Sequence, residues 1–429
     1  MKSFRLLSVV VAVYCFGLIP LQFALSQDSI KWSGEIRLRT ESDGRDFKTK
    51  TPYNLFTLSR FRLGVSVYMM KGISLFGQMQ DSRTLGEEIT SGAFSTINNA
   101  KNLDIHQAYL TVDKFLMDEM SFKFGRMELS YGNERIIGSV GWNNIGRSFD
   151  GLVINYSSAG FGNLNLFVLN TGEGNTAPAA ATFGAARYTY DTGWVSLGGY
   201  YSNKFSPEFS GDAYVLLDRN GHKTKKDTVD LMRTTVGALV KTKMGSFFGD
   251  VEGAYQLGTV VGVDISAYML ALSAGYELGM PILSSVSGHV DMLSGRKSGD
   301  KDYKSFNPPY PTAHKFYGFM DYFIAFPAHS HDRGITDIYL RLISKPMDNV
   351  SVLTVLHNFS LQNDYTSATL KNASTGLGQE VDIISQWKYS KNLGFELGIA
   401  GFLPGDVMRD DFKASDVATY VYLSTSVSF

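Results

Sequence analysis

The feature that most narrows the folds open to this 429-residue chain is alternation of apolar and polar side chains with a period of two, repeated in many short segments. Between Leu55 and Met69, Phe61, Leu63, Val65 and Val67 are apolar, and Arg60, Arg62, Gly64 and Ser66 fall between them. A strand sends successive side chains to opposite faces, so such a segment has one greasy face and one polar face. The pattern returns in Gly34 to Arg39, Asp230 to Lys243, Ile335 to Ser344 and Glu380 to Tyr389. No convincing period of 3.6 runs beside it, which argues against a predominantly helical fold.

The connections between these segments differ in length in a regular way. Short turns are predicted at Lys71-Gly72, Ser157 to Gly160, Asp191 to Gly193, Lys243 to Ser246, Gly279 to Pro281, Lys345 to Asn349 and Ser390 to Asn392. Long polar loops are predicted at 43–54, 83–101, 128–147, 171–181, 204–228, 295–334, 362–377 and 403–416. Short turns at one end and long loops at the other are the habit of a transmembrane β-barrel. The reading is all-β: an antiparallel barrel of eighteen strands, with periplasmic turns and extracellular loops. Closure follows because lipid cannot hydrogen-bond a sheet edge.

The two ends of the chain fit an exported protein. Lys2 and Arg5 precede an apolar run from Leu6 to Leu21, and Ala24-Leu25-Ser26 before Gln27 reads as an A-x-A-like cleavage site. Residues 1–26 are therefore predicted to be a signal peptide and 27–429 the barrel. The single cysteine, Cys15, lies in the signal, so no disulfide is expected. Taking Lys2 and Arg5 from the 40 basic residues leaves 38 against 41 acidic ones, which argues against a nucleic-acid partner. At the other end Val421, Leu423, Thr425, Val427 and Phe429 alternate. A terminal aromatic on an amphipathic strand is the signal expected by the barrel-assembly machinery; with outer-membrane lipid, that machinery is a predicted partner.

Residues Phe124 to Gly151 read FGRMELSYGNERIIGSVGWNNIGRSFDG. This resembles the alginate export family of outer-membrane porins in Gly125, Arg126, Glu128, Tyr131, Gly132, Glu134, Arg135, Gly138, Trp142, Asn144, Gly146, Arg147, Phe149, Asp150 and Gly151. Met127 stands where the family has Gln, and Asn133 where it has Asp. Further similarity lies in Glu252 to Gln256, Ser294 to Tyr322 and Gly378 to Asp382, so it spans nearly the whole chain. The resemblance implies an eighteen-stranded barrel whose positively charged pore passes an anionic polysaccharide.

Selectivity in a pore comes from side chains on the lumen face. Taking the apolar alternates as lipid-facing puts Arg37, Arg39, Arg60, Arg62, Arg233 and Arg341 inside, with Arg126 joining them at the end of its strand. An arginine facing lipid near the midplane would cost about 2–4 kcal/mol. Glu35, Glu252, Asp291, Glu380, Asp382 and Glu396 face inward by the same rule, so the lumen is mixed. Such charges either contact solute carboxylates, which suit the planar guanidinium fork, or pair across strands to stiffen the wall. Arg60, Arg62, Arg233 and Arg341 are expected to converge on one electropositive constriction. Loop 295–334, rich in Pro, Phe and Tyr, is either a gate or a plain surface loop.

Two clusters invite a metal, His329-His331-Asp332 and Glu41-Asp43-Asp46. Both read more simply as solvated loop residues, and no metal or cofactor is expected. No hydrolase elbow, zinc motif or phosphate loop is present, and Ser287 with His289 on one face is too little for an enzyme. The expected function is a monomeric, passive, non-enzymatic pore for an anionic saccharide or a small acidic solute. The alternative is a structural or adhesive barrel with a plugged lumen and partner-binding loops.

Overall fold

A computed structural model describes residues 29–70, 72–85, 103–172, 193–221, 229–370 and 372–429. The predicted signal peptide lies outside them, as do most of loops 83–101 and 171–181. Eighteen strands follow one another: β1 (Ile30–Gly44), β2 (Asn54–Met70), β3 (Ile73–Leu85), β4 (Leu103–Asp113), β5 (Met120–Met127) and β6 (Phe149–Ser158). Then come β7 (Gly162–Gly172), β8 (Trp194–Lys204), β9 (Phe209–Asn220), β10 (Leu231–Met244), β11 (Phe247–Val260) and β12 (Val263–Glu277). The last six are β13 (Ser285–Leu293), β14 (Ile335–Met347), β15 (Val350–Tyr365), β16 (Ser374–Lys388), β17 (Leu393–Pro404) and β18 (Ala418–Ser428). A short helix, α1 (Asp406–Phe412), lies between β17 and β18.

Each strand pairs antiparallel with the next, and β1 closes on β18 with Leu38 opposite Thr425. Closure leaves no strand edge unpaired, the condition lipid imposes. The dyad pattern holds at the seam. Val421 and Leu423 point outward, whereas Tyr420, Tyr422 and Ser424 are buried inside. Phe429 is 63% exposed on the outer face.

The Phe429 ring covers Gly34 of β1, and the two residues exchange both backbone hydrogen bonds at 3.0 and 3.1 Å. A Cβ at Gly34 would stand 2.3 Å from that ring. Glycine is needed here because the aromatic occupies the space above it. Phe429→Ala and Gly34→Val are therefore both expected to lower the amount of heat-modifiable barrel without lowering synthesis. Wild-type levels of folded barrel in both variants would rule out this closure.

The loop pattern differs from expectation in the middle of the chain. The predicted short turn at Asp191 to Gly193 lies outside the described residues except for Gly193. The predicted loop 204–228 contains β9, and β11 turns directly into β12 at 261–262. In β9 the alternation is blurred because Tyr214 and Leu216 are apolar yet face inward. They are apolar because the lumen at that level is packed, not wet. Phe306, Tyr310, Tyr317, Met320 and Phe323, from the connection between β13 and β14, join inward strand residues in one buried cluster.

Candidate functional site

Two connections fold into the barrel from the loop end: residues 128–148 between β5 and β6, and 294–334 between β13 and β14. They are joined to each other. The Gly138 N–H donates to the Tyr310 carbonyl at 2.8 Å, and the Tyr310 N–H donates to Ile136 at 2.9 Å. The Thr312 hydroxyl donates to Glu134 at 2.6 Å, and Lys315 pairs with the same carboxylate at 2.7 Å. Arg147 donates to the carbonyls of Gly138 and Pro311, one from each loop, at 3.0 and 3.1 Å. Burial pushes the Arg147 pKa down to about 10, which still leaves it charged at neutral pH. The two loops thus make one composite plug.

A basic wall holds one side of this plug. Arg37 donates to the carbonyls of Gly141 and Asn143 at 2.9 and 3.0 Å, and Arg60 donates to the same two oxygens. Arg39 donates to the Trp142 carbonyl at 2.8 Å and stacks on its indole, 3.8 Å from guanidinium carbon to ring centre. Arg62 reaches Ile145, and the Ser82 hydroxyl donates to Asn144. Three acids offset these cations: Glu35 pairs with Arg60, Glu41 with Arg39 and Glu128 with Arg62.

An acidic wall holds the other side. Arg135 of the plug makes a two-pronged bond to Asp291 of β13 at 2.8 and 2.9 Å and lies 3.5 Å from Glu252 of β11. Burial works against the charge of Arg135, but Asp291, with Tyr317, Tyr339 and Glu252, outweighs it and raises its pKa above the usual arginine value. Phe316 covers its other face at 3.8 Å. Glu380 of β16 accepts the Met320 N–H at 2.9 Å, and Asp382 beside it lies 3.6 Å from His357, which bonds to Asp337 at 2.8 Å. Arg45, paired with Asp43, donates to the Met320 carbonyl.

The parity-predicted charges are therefore inside, and the separate expectation that Arg126 joins them is corrected. Arg126 shares its face with Phe124, which is 58% exposed, and it pairs with Asp150 at 2.8 Å on the outer surface at the loop end. The expected convergence is also corrected. Arg60 and Arg62 lie with Arg37 and Arg39, but Arg233 pairs across strands with Asp218 and donates to Asn307, eight strands away. Arg341 lines a separate cavity. The loop 295–334 is not a plain surface loop, since it is bonded into the lumen.

The remaining candidates have local partners. His331 bonds to Asp411 and stacks on Tyr365, and Asp46 accepts the Lys48 N–H. No group of three or more metal-type ligands occurs among the described residues. Ser287 and His289 are 2.8 Å apart, and His289 stacks on Tyr339. Glu396 accepts from Gln386 and Tyr422.

Sequence reasoning missed Arg135 and Tyr310 as organising residues. Tyr310 meets Ser196 of β8 and Asp218 of β9 and packs edge-on against Phe149. The available signal was a charged or aromatic residue set between loop apolars or prolines. Such a residue has no reason to be there unless the loop is buried.

Two of the cavities below the plug at the turn end adjoin each other. One, about 670 Å³, is lined by Trp142, His314, Lys315, Arg341, Lys345 and Tyr422 among others. The other, about 370 Å³, touches Arg37, Arg39, Trp142, Lys388 and Glu396. Both share Trp142, Gln386 and Glu396.

Comparison with known proteins gives the fold and the family. The family model described as alginate export matches residues 29–420. No curated protein sequence matches the chain. Among solved structures, Pseudomonas aeruginosa OccK5 (OpdH) is similar at a TM-score of 0.56 with 13% identity, over 94% of this chain and 99% of that one. Pseudomonas aeruginosa OccK8 (OprE) is similar at 0.58 with 11% identity, over 94% and 98%. Acinetobacter baumannii OccAB4 is similar at 0.59 with 9% identity, over 95% and 99%.

Proposed function

The chain belongs to the alginate export family and is an outer-membrane channel, and we propose that it passes anionic saccharides or similar acidic solutes by diffusion. The observation that carries this reading is the periplasmic cavity with Arg341 and Lys345. Neither has an ion pair among the described residues, whereas every other wall arginine of the predicted set is bonded to a carboxylate or a plug carbonyl. Trp142, Phe319 and Tyr422 supply flat apolar faces in the same cavity. Cations beside aromatic rings suit a molecule that carries both carboxylates and sugar rings. Each contact is weak, about 1 kcal/mol per charge pair at 4 Å in water, so a bound solute is free to leave.

The test is the reversal potential in a salt gradient across a planar bilayer. Wild type is expected to prefer anions at low salt, and the preference should fade as the Debye length drops to about 3 Å at 1 M. Arg341→Glu with Lys345→Glu should shift the preference several-fold toward cations. Identical reversal potentials for the two proteins would remove these residues from the filter.

The filled lumen favours a second reading, a permanently plugged barrel whose loops bind a partner. It predicts no current from wild type at any voltage, and none when the plug's anchors are cut.

A further inference from the structure

Arg37 is the one cation of the basic wall that makes no ion pair among the described residues, the nearby Glu35 being bonded to Arg60, and it is nine-tenths buried. Its two terminal nitrogens each reach one oxygen, Gly141 O and Asn143 O, and Arg60 holds the same two oxygens from the neighbouring strand. Two oxygens gripped by the fork of one guanidinium and shared with another are the arrangement a carboxylate takes. A neutral carbonyl is the weaker acceptor, because a carboxylate adds its own negative charge and matches the guanidinium fork with two oxygens of one group. A buried guanidinium served only by carbonyls is therefore poised to exchange them for an anion. The underside of this cluster is reachable, since the 370 Å³ cavity that touches Arg37 and Arg39 lies at the periplasmic end and carries Lys388 on its wall.

We propose that the Gly141 and Asn143 carbonyls occupy an anion site formed by Arg37 and Arg60, and that a carboxylate-bearing solute arriving from the periplasm displaces them and releases the plug. The channel is then opened by its own solute, and from one side. On the extracellular side the composite plug stands between solute and site. This rests on the reading of the channel as one for acidic solutes. It adds a trigger and a polarity that a passive tube lacks.

Two readouts test it, with a galacturonate trimer as probe and maltotriose as the uncharged control. In a bilayer holding the protein in one orientation, the acidic trimer on the periplasmic side should raise conductance several-fold, and on the extracellular side it should not. In protein whose other tryptophans (Trp32, Trp194 and Trp387) are changed to Phe, the same trimer should shift Trp142 emission to the red as Arg39 leaves its ring. Arg37→Gln should raise basal conductance, because two plug anchors are lost, and should abolish both responses to the trimer. Equal responses from the two sides, equal action of maltotriose, or an unmoved Trp142 spectrum would overturn the trigger. Anion preference in a salt gradient would survive that failure, whereas loss of the preference would overturn the acidic-solute reading itself.

Discussion

Arg135→Met is expected to open the channel while leaving the barrel intact. The substitution keeps much of the side-chain volume against Phe316 but strands Asp291 and Glu252, both almost fully buried, without their cation. Removing one partner of a buried ion pair costs about 3–5 kcal/mol. A loss of that size is a hundredfold or more in the balance between seated and released plug, at about 1.4 kcal/mol per tenfold. Tyr339 and Tyr214 still donate to the two carboxylates, but a hydroxyl does not neutralise them. Conductance should rise several-fold, residues 128–148 should become open to protease, and heat-modifiable migration should stay, because the strand ladders are untouched. Adding Asp291→Asn and Glu252→Gln to Arg135→Met removes the orphaned charges and should restore much of the closed state. Wild-type conductance in Arg135→Met would mean that this contact does not hold the plug.

Phe323→Ala is expected to unseat the plug by a route that changes no charge. Phe323 is fully buried, with ring centres 4.8 Å from Phe359 and 6.2 Å from Phe402. Deleting a buried aromatic ring costs about 3–5 kcal/mol when the site cannot collapse, and the strand side of this cluster is rigid. The same rise in conductance and protease access should follow. The anion preference should remain that of wild type, because Arg341 and Lys345 keep their places. A shift in reversal potential with Phe323→Ala would show that the plug, and not the wall, sets the preference.

The arginines separate what was legible from what was not. The period of two placed Arg37, Arg39, Arg60, Arg62, Arg233 and Arg341 inward from neighbours one residue away, and that is where they lie. Arg126 follows the period of two onto the apolar face with Phe124, and the expectation that it turns inward failed for a physical reason. The penalty for an outward arginine is about 2–4 kcal/mol at the midplane but falls to about 0–1 near the interface. At the loop end of β5, with Asp150 beside it, facing out costs little. The β9 strand escaped notice for the opposite reason. Its inward Tyr214 and Leu216 are apolar because of a plug that the local sequence does not announce.

The sequence by itself determined the class of fold, the closure of the sheet and the face on which nearly every wall charge lies. Those properties follow from side-chain alternation and from lipid's inability to satisfy a free edge, and both act over a few residues. Only the tertiary structure decided what the wall charges hold. Arg37 meets Gly141 across 104 residues, Arg135 meets Asp291 across 156, and Arg45 meets Met320 across 275. Whether a lumen arginine faces water, an acid or a carbonyl depends on how a distant loop fills the space, and no local period carries that information.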